Sequence, residues 1–139
     1  MSTTLTPNLM TENVNASVLF YRDRLGFHYL AGVLSEGDAM AADFSADAPL
    51  QWAMLGREEA RVMFQLRASL AREYTPAGDM ALGASASLYL EVDDLDALVA
   101  ALGEAVETLL PDHTTFYGMR EMWIRDNNGY ILTLAQRQA

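Results

Sequence analysis

Asn8-Leu9-Met10-Thr11-Glu12-Asn13-Val14-Asn15-Ala16, near the start of the chain, can be laid on Tyr89-Leu90-Glu91-Val92-Asp93-Asp94-Leu95-Asp96-Ala97 in its second half. In both stretches a short strand-like run ends at an Asn or Asp. The side-chain oxygen of that residue can accept a free backbone N–H of a helix's first turn, so a helix should start there. An amphipathic run follows each cap: Val14, Val18, Leu19, Tyr21 and Leu25 in the first half, Leu95, Leu98, Val99 and Leu102 in the second. Gly26 and Gly103 then stand where a left-handed residue stops a helix. Two strand-helix starts share one plan, and a repeat at half-length bears on the whole architecture.

Working outward, strands are expected at Phe27 to Leu34, Gln51 to Leu55 and Arg61 to Arg67, then at Glu107 to Leu109, Met119 to Arg125 and Tyr130 to Gln136. Asp126-Asn127-Asn128-Gly129 joins the last two as a turn, since Asn and Gly tolerate positive φ. The predicted order is strand, helix, three strands, twice, an α+β chain. Residues 1–139 are expected to form a single domain, with module one at 4–67, a linker at 68–84 containing Pro76, Gly78 and Gly83, and module two at 85–136. Ala39 to Pro49 reads as a small-residue, acidic loop.

Composition narrows the function. With 19 acidic against 9 basic side chains and a formal charge of -10, the chain repels phosphate backbones, so nucleic acid is not an expected partner. The absence of cysteine excludes disulfides, thiolate nucleophiles and cysteine metal sites. No apolar run approaches the roughly 18 residues of a membrane span, and Met1 to Pro7 lacks the parts of a signal peptide, which makes the cytoplasm the expected compartment.

Leu19-Phe20-Tyr21-Arg22-Asp23-Arg24-Leu25-Gly26-Phe27, Leu90-Glu91-Val92-Asp93-Asp94-Leu95-Asp96, and Tyr117-Gly118-Met119-Arg120-Glu121 running on to Asp126-Asn127-Asn128-Gly129-Tyr130 together resemble three signatures of the vicinal oxygen chelate superfamily. This is the superfamily of glyoxalase, bleomycin-resistance protein and extradiol dioxygenase. The resemblance implies two βαβββ modules forming a curled mixed sheet around a cleft, usually in a homodimer. Its enzymes hold a divalent metal at four strand positions, which carry over to Thr6, Gln65, Ser87 and Thr133. None is His, Asp or Glu, and a one-residue slip to Pro7, Leu88 or Leu132 is no better. Hydroxyls and an amide supply no charge to repay stripping water from such an ion. No metal, no other cofactor and no catalytic residue is therefore expected. His28, on a strand, and His113, in a loop, have no spacing that pairs them as ligands, and Asp93, Asp94 and Asp96 suit the positive end of a helix better than catalysis.

Strand parity then predicts which side chains face the cleft: Asn8, Met10, Trp52, Met63 and Gln65 in module one, and Ser87, Tyr89, Glu91, Glu121, Trp123, Ile131 and Thr133 in module two. The opposite parity, with Leu9, Val62, Phe64, Leu88, Leu90, Leu132 and Leu134, suits packing under the helices. Indole, phenol and thioether walls with two carboxylates suit a planar or cationic small organic ligand. The expected function is sequestration or resistance-type binding similar to the bleomycin-resistance branch, rather than catalysis. The alternative is a glyoxalase-like lyase or isomerase that uses a non-standard metal site, or Glu121, Glu91 or His113 as acid or base. In that alternative an apolar wall would raise the carboxylate pKa. A third possibility is action through the dimer or a protein partner alone.

Overall fold

The computed structural model describes residues 3–83 and 85–138; Met1 and Ser2 of the leader reading, Ala84 at the end of the expected linker, and Ala139 lie outside them. Unit one spans Met1–Met80 and unit two Ala81–Ala139. Unit one contains β1 (Asn8–Thr11), α1 (Val14–Leu25), β2 (His28–Leu34), β3 (Leu50–Arg57), β4 (Ala60–Leu66), α2 (Arg67–Glu73) and a 3-10 turn at Thr75–Asp79. Unit two contains β5 (Ser87–Glu91), α3 (Leu95–Leu102), β6 (Thr108–Thr114), β7 (Met119–Arg125) and β8 (Ile131–Arg137). Each unit has one open, four-stranded mixed sheet, ordered β1-β4-β3-β2 and β5-β8-β7-β6. The edge strand that starts each module runs parallel to its last strand, and the remaining neighbours are antiparallel.

The two helix starts are built alike. Asn13 Oδ1 accepts from the Ala16 N–H at 3.0 Å, and Asp94 Oδ1 accepts from the Ala97 N–H at 3.0 Å. Gly26 ends α1 at φ 75°, and Gly103 follows α3 at φ 71°. Helix α1 buries Val14, Ser17, Val18, Tyr21 and Leu25, a stripe at helical spacing. Beneath it lie Leu9, Ala53, Leu55, Val62 and Phe64, all buried. The Tyr21 ring sits 4.8 Å from Phe64 and 5.6 Å from Phe27, centroid to centroid. Each such fully buried side chain contributes about 1.5–3 kcal/mol of transfer free energy. In unit two, Leu95, Leu98 and Leu102 of α3 are buried, as are Ile124, Leu132 and Leu134 of the sheet.

Three features differ from the sequence reading. The expected linker begins as α2, which packs on β1 and β4. Its Ser69 hydroxyl is buried in hydrogen bonds to the sheet, a tertiary anchor that residue periodicity does not report. Strand β6 extends to Thr114, so His113 lies on a strand, paired with Glu121, and not in a loop. In the Asp126 to Gly129 turn only Gly129 takes positive φ, at 89°. The Asp126 carboxylate holds the turn, accepting the N–H groups of Asn128 and Tyr130 at 2.8 and 2.9 Å.

Candidate functional site

Cross-strand register fixes which side chains share a face, because directly paired residues point the same way. In unit one, Asn8 pairs with Met63 and Met63 with Met54, while Met10 pairs with Gln65 and Gln65 with Trp52. In unit two, Tyr89 pairs with Thr133 and Thr133 with Trp123; Ser87 pairs with Ile131; and Glu91, Ala135, Glu121 and His113 form the next row. The five predicted positions of module one thus share one face, and so do the seven of module two. In each unit that face is opposite to the one bearing Leu9 and Phe64, or Leu132 and Leu134.

On the unit-one face lies a pocket of about 530 Å³ lined by Val33, Asp38, Gln51, Trp52, Gln65, Ser69, Arg72 and Glu73. A chain of hydrogen bonds forms much of its wall. Asn8 Nδ2 donates to Gln65 Oε1 at 2.9 Å and Gln65 Nε2 to Ser69 Oγ at 2.9 Å. Ser69 Oγ donates to Gln51 Oε1 at 3.2 Å, and Arg72 Nη2 donates to the same oxygen at 3.0 Å. Gln51 Nε2 donates to the Leu34 carbonyl at 2.9 Å and to Asp38 Oδ1 at 2.5 Å. Gln51, Gln65 and Ser69 are buried and satisfied, as buried amides and hydroxyls must be.

Of the predicted residues, Trp52 and Gln65 line this pocket and Asn8 joins its network, whereas Met10 is buried and Met63 is not among the lining residues. Sequence reasoning missed Gln51 because β3 is bulged there: Leu34 pairs with Leu50 and Val33 with Trp52, which leaves Gln51 as the extra residue. It missed Ser69, Arg72 and Glu73 because they belong to α2. Helix-favouring residues in Arg67 to Glu73, immediately after a strand, were the available signal.

The register also revises one carried-over position. With Asn8 laid on Tyr89, the counterpart of Thr133 in module one is Met63, while Gln65 corresponds to Ala135. Thr6 precedes β1. A thioether is no better a ligand for a hard divalent ion than the amide, and the amide is already engaged at both ends. The residues at these positions do not fit a catalytic divalent metal, and among the described residues no three His, Asp or Glu side chains gather as a metal would require.

On the unit-two face, Glu121 is 2% exposed. Its Oε2 accepts hydrogen bonds from Tyr89 at 2.8 Å and from Tyr117 at 2.7 Å. Burial pushes the carboxyl up, but the hydrogen bonds from Tyr117, Tyr89 and Trp123, with the charge of His113, outweigh it and hold Glu121 below the usual carboxylate value. The sequence-based expectation of a raised carboxylate is corrected here: the wall carries phenol donors to the ionised form. Desolvation, then the bond to Glu121 and its charge, push Tyr89 up to about 12.

The remaining predicted residues of this unit are more open. Glu91 is exposed, with Arg137 3.9 Å from its carboxylate; Ser87 is exposed, and Ile131 and Thr133 are half-buried. Away from this carboxylate, Asp94 caps α3 and Asp96 pairs with Arg120 at 2.6 Å, structural roles that agree with the sequence reading. The Arg120 bond holds Asp96 below its usual value.

Residues 4–134 match the model of the Glyoxalase/Bleomycin resistance protein/Dioxygenase superfamily. The chain belongs to that superfamily. It is similar in fold to TioX from Micromonospora sp. ML1, with 16% identity, 98% of this chain and 99% of that one covered, and a TM-score of 0.70. It is also similar to a glyoxalase/bleomycin resistance protein/dioxygenase family enzyme from Burkholderia phytofirmans, with 15% identity, 95% and 96% covered, and a TM-score of 0.72. A superfamily member from Sphaerobacter thermophilus shares 17% identity over 99% and 98% of the two chains, with a TM-score of 0.70. No curated protein matches the chain.

Proposed function

We propose that this chain binds a small organic molecule, as a sequestration or resistance-type protein of its superfamily, without the divalent metal of the superfamily's enzymes. The observation that carries this reading is the unit-one pocket of about 530 Å³, walled by the Trp52 indole and by the buried hydrogen-bonded chain through Gln65, Ser69 and Gln51. A preorganised pocket with an aromatic wall and a few fixed polar groups suits binding. A homodimer and a cytoplasmic location are part of the proposal, the first by resemblance and the second from the sequence.

Native mass spectrometry of the protein as purified, without added metal, tests it. The expected spectrum shows a metal-free dimer, with an organic adduct whose mass identifies the ligand. A stoichiometric divalent metal together with metal-dependent turnover would move the protein to the lyase or isomerase class. Glu121, held below the usual carboxylate value, is poorly suited to act as a general acid.

A further inference from the structure

Unit two holds a buried carboxylate that is hydrogen-bonded but has no ion-pair partner among the described residues. Glu121 is 2% exposed, and no ion pair among the described residues includes it. Its cross-strand neighbour His113 has Nδ1 2.9 Å from the Pro111 carbonyl and makes no ion pair with it. Buried carboxylates are ordinarily matched by a cation as well as by hydrogen bonds.

What surrounds this carboxylate is aromatic and open. Tyr89 and Tyr117 are each 53% exposed and Trp123 is 40% exposed. Trp123 lies in the same cross-strand row as Tyr89, one strand beyond Thr133. Both phenols donate to Glu121 Oε2, and a phenol that donates to an anion becomes richer in electron density. Such rings attract a cation more strongly than isolated ones. Large aromatic side chains left this open on a sheet face mark a place where something binds.

We propose that this face of unit two is a site for a small organic cation, a quaternary or protonated amine, seated on the rings of Tyr89, Tyr117 and Trp123 and neutralising Glu121. The charge of -10 over the chain draws such a ligand from a distance. The site rests on unit-two residues alone and stands whether or not the unit-one pocket takes a ligand.

Choline chloride is a suitable probe, with its uncharged carbon isostere dimethylbutanol as control. Nitrogen-15 NMR of the intact chain follows the Trp123 indole N–H, assigned with Trp52→Phe, and calorimetry supplies affinities. A saturable shift of Trp123 with choline is expected, and binding of dimethylbutanol at least about tenfold weaker, the equivalent of about 1.4 kcal/mol. Glu121→Gln should weaken choline about tenfold. Trp123→Ala, at a position 40% exposed, should weaken it about threefold or more. Equal binding of the neutral isostere overturns the proposal. So does choline binding that both variants leave unchanged, or a face that self-associates on dilution tests and shows no saturable choline shift.

Discussion

Tyr89 and Tyr117, one on a strand and one in the turn before another, donate their hydroxyls to the same oxygen of Glu121, at 2.8 and 2.7 Å. The convergence makes a three-residue unit out of side chains from separate parts of module two. Hydrogen bonds to a charged acceptor contribute about 1.5–3 kcal/mol when buried, and less where the donor is half-exposed. Tyr117→Phe is therefore expected to lower stability only slightly, the donor being half-exposed, and to move the Glu121 carboxyl upward. Carbon-13 NMR titration of the glutamate carboxyls reads the second effect directly; an unmoved Glu121 would show that the phenols do not hold it ionised.

The same unit sets a pH window. Glu121 has a folded pKa below its unfolded value, so its contribution is present above the unfolded value near 4.3 and is lost as pH falls through the lower, folded one. Tyr89 is the opposite case: its pKa is raised to about 12, so its contribution is present below about 10 and lost as pH rises from there through 12. Urea midpoints should be flat from about pH 5 to 9 and fall on both sides. In Tyr89→Phe the alkaline fall should be shallower, and an unchanged alkaline limb would assign it to other groups.

Ser69→Ala removes the hydroxyl that links Gln65 to Gln51 and leaves buried amide groups short of a partner. A loss of about 1–3 kcal/mol is expected. Chemical denaturation measures it, and a change within about 0.5 kcal/mol, the range of ordinary surface substitutions, would mean that water replaces the hydroxyl without cost.

Phe64→Ala opens a cavity under α1 where Tyr21 now packs at 4.8 Å. The expected cost is about 3–5 kcal/mol, a large share of the stability of a small domain. A thermal midpoint near that of the parent would contradict the assignment of this face as core.

Asp126→Ala deletes the side-chain acceptor of the Asn128 and Tyr130 N–H groups in the β7–β8 turn, while Asp126→Asn keeps an acceptor oxygen. Denaturation should show the alanine variant less stable than the asparagine one by about 1 kcal/mol. Equal losses would place the turn's preference in the backbone instead.

Much of the fold was legible because it obeys local rules. Asn13 and Asp94 cap helices whose stop positions are marked by glycines, and strand parity separates Leu9 and Phe64 from Asn8 and Met63 without any tertiary knowledge. Legibility ended where a tertiary contact or a change of register decided the outcome. Helix α2 depends on Ser69 reaching back to the sheet, and the length of β6 depends on its pairing with β7 through two irregular steps. Carrying the superfamily's last-strand position over placed Gln65 where the paired strands place Met63. The sign of the Glu121 shift was unreadable because Tyr117 lies in the turn before β7 and Tyr89 on β5, and only the folded chain brings both hydroxyls to one carboxylate oxygen.

The extra residue at Gln51 separates two kinds of change open to this protein. Deleting it would let Leu50 and Trp52 fall into step with Leu34 and Val33 and take away the hub to which Ser69 and Arg72 donate. The layer beneath α1 would keep its members. The wall of the unit-one pocket can thus be rewritten by a one-codon insertion or deletion, a route faster than substituting it residue by residue.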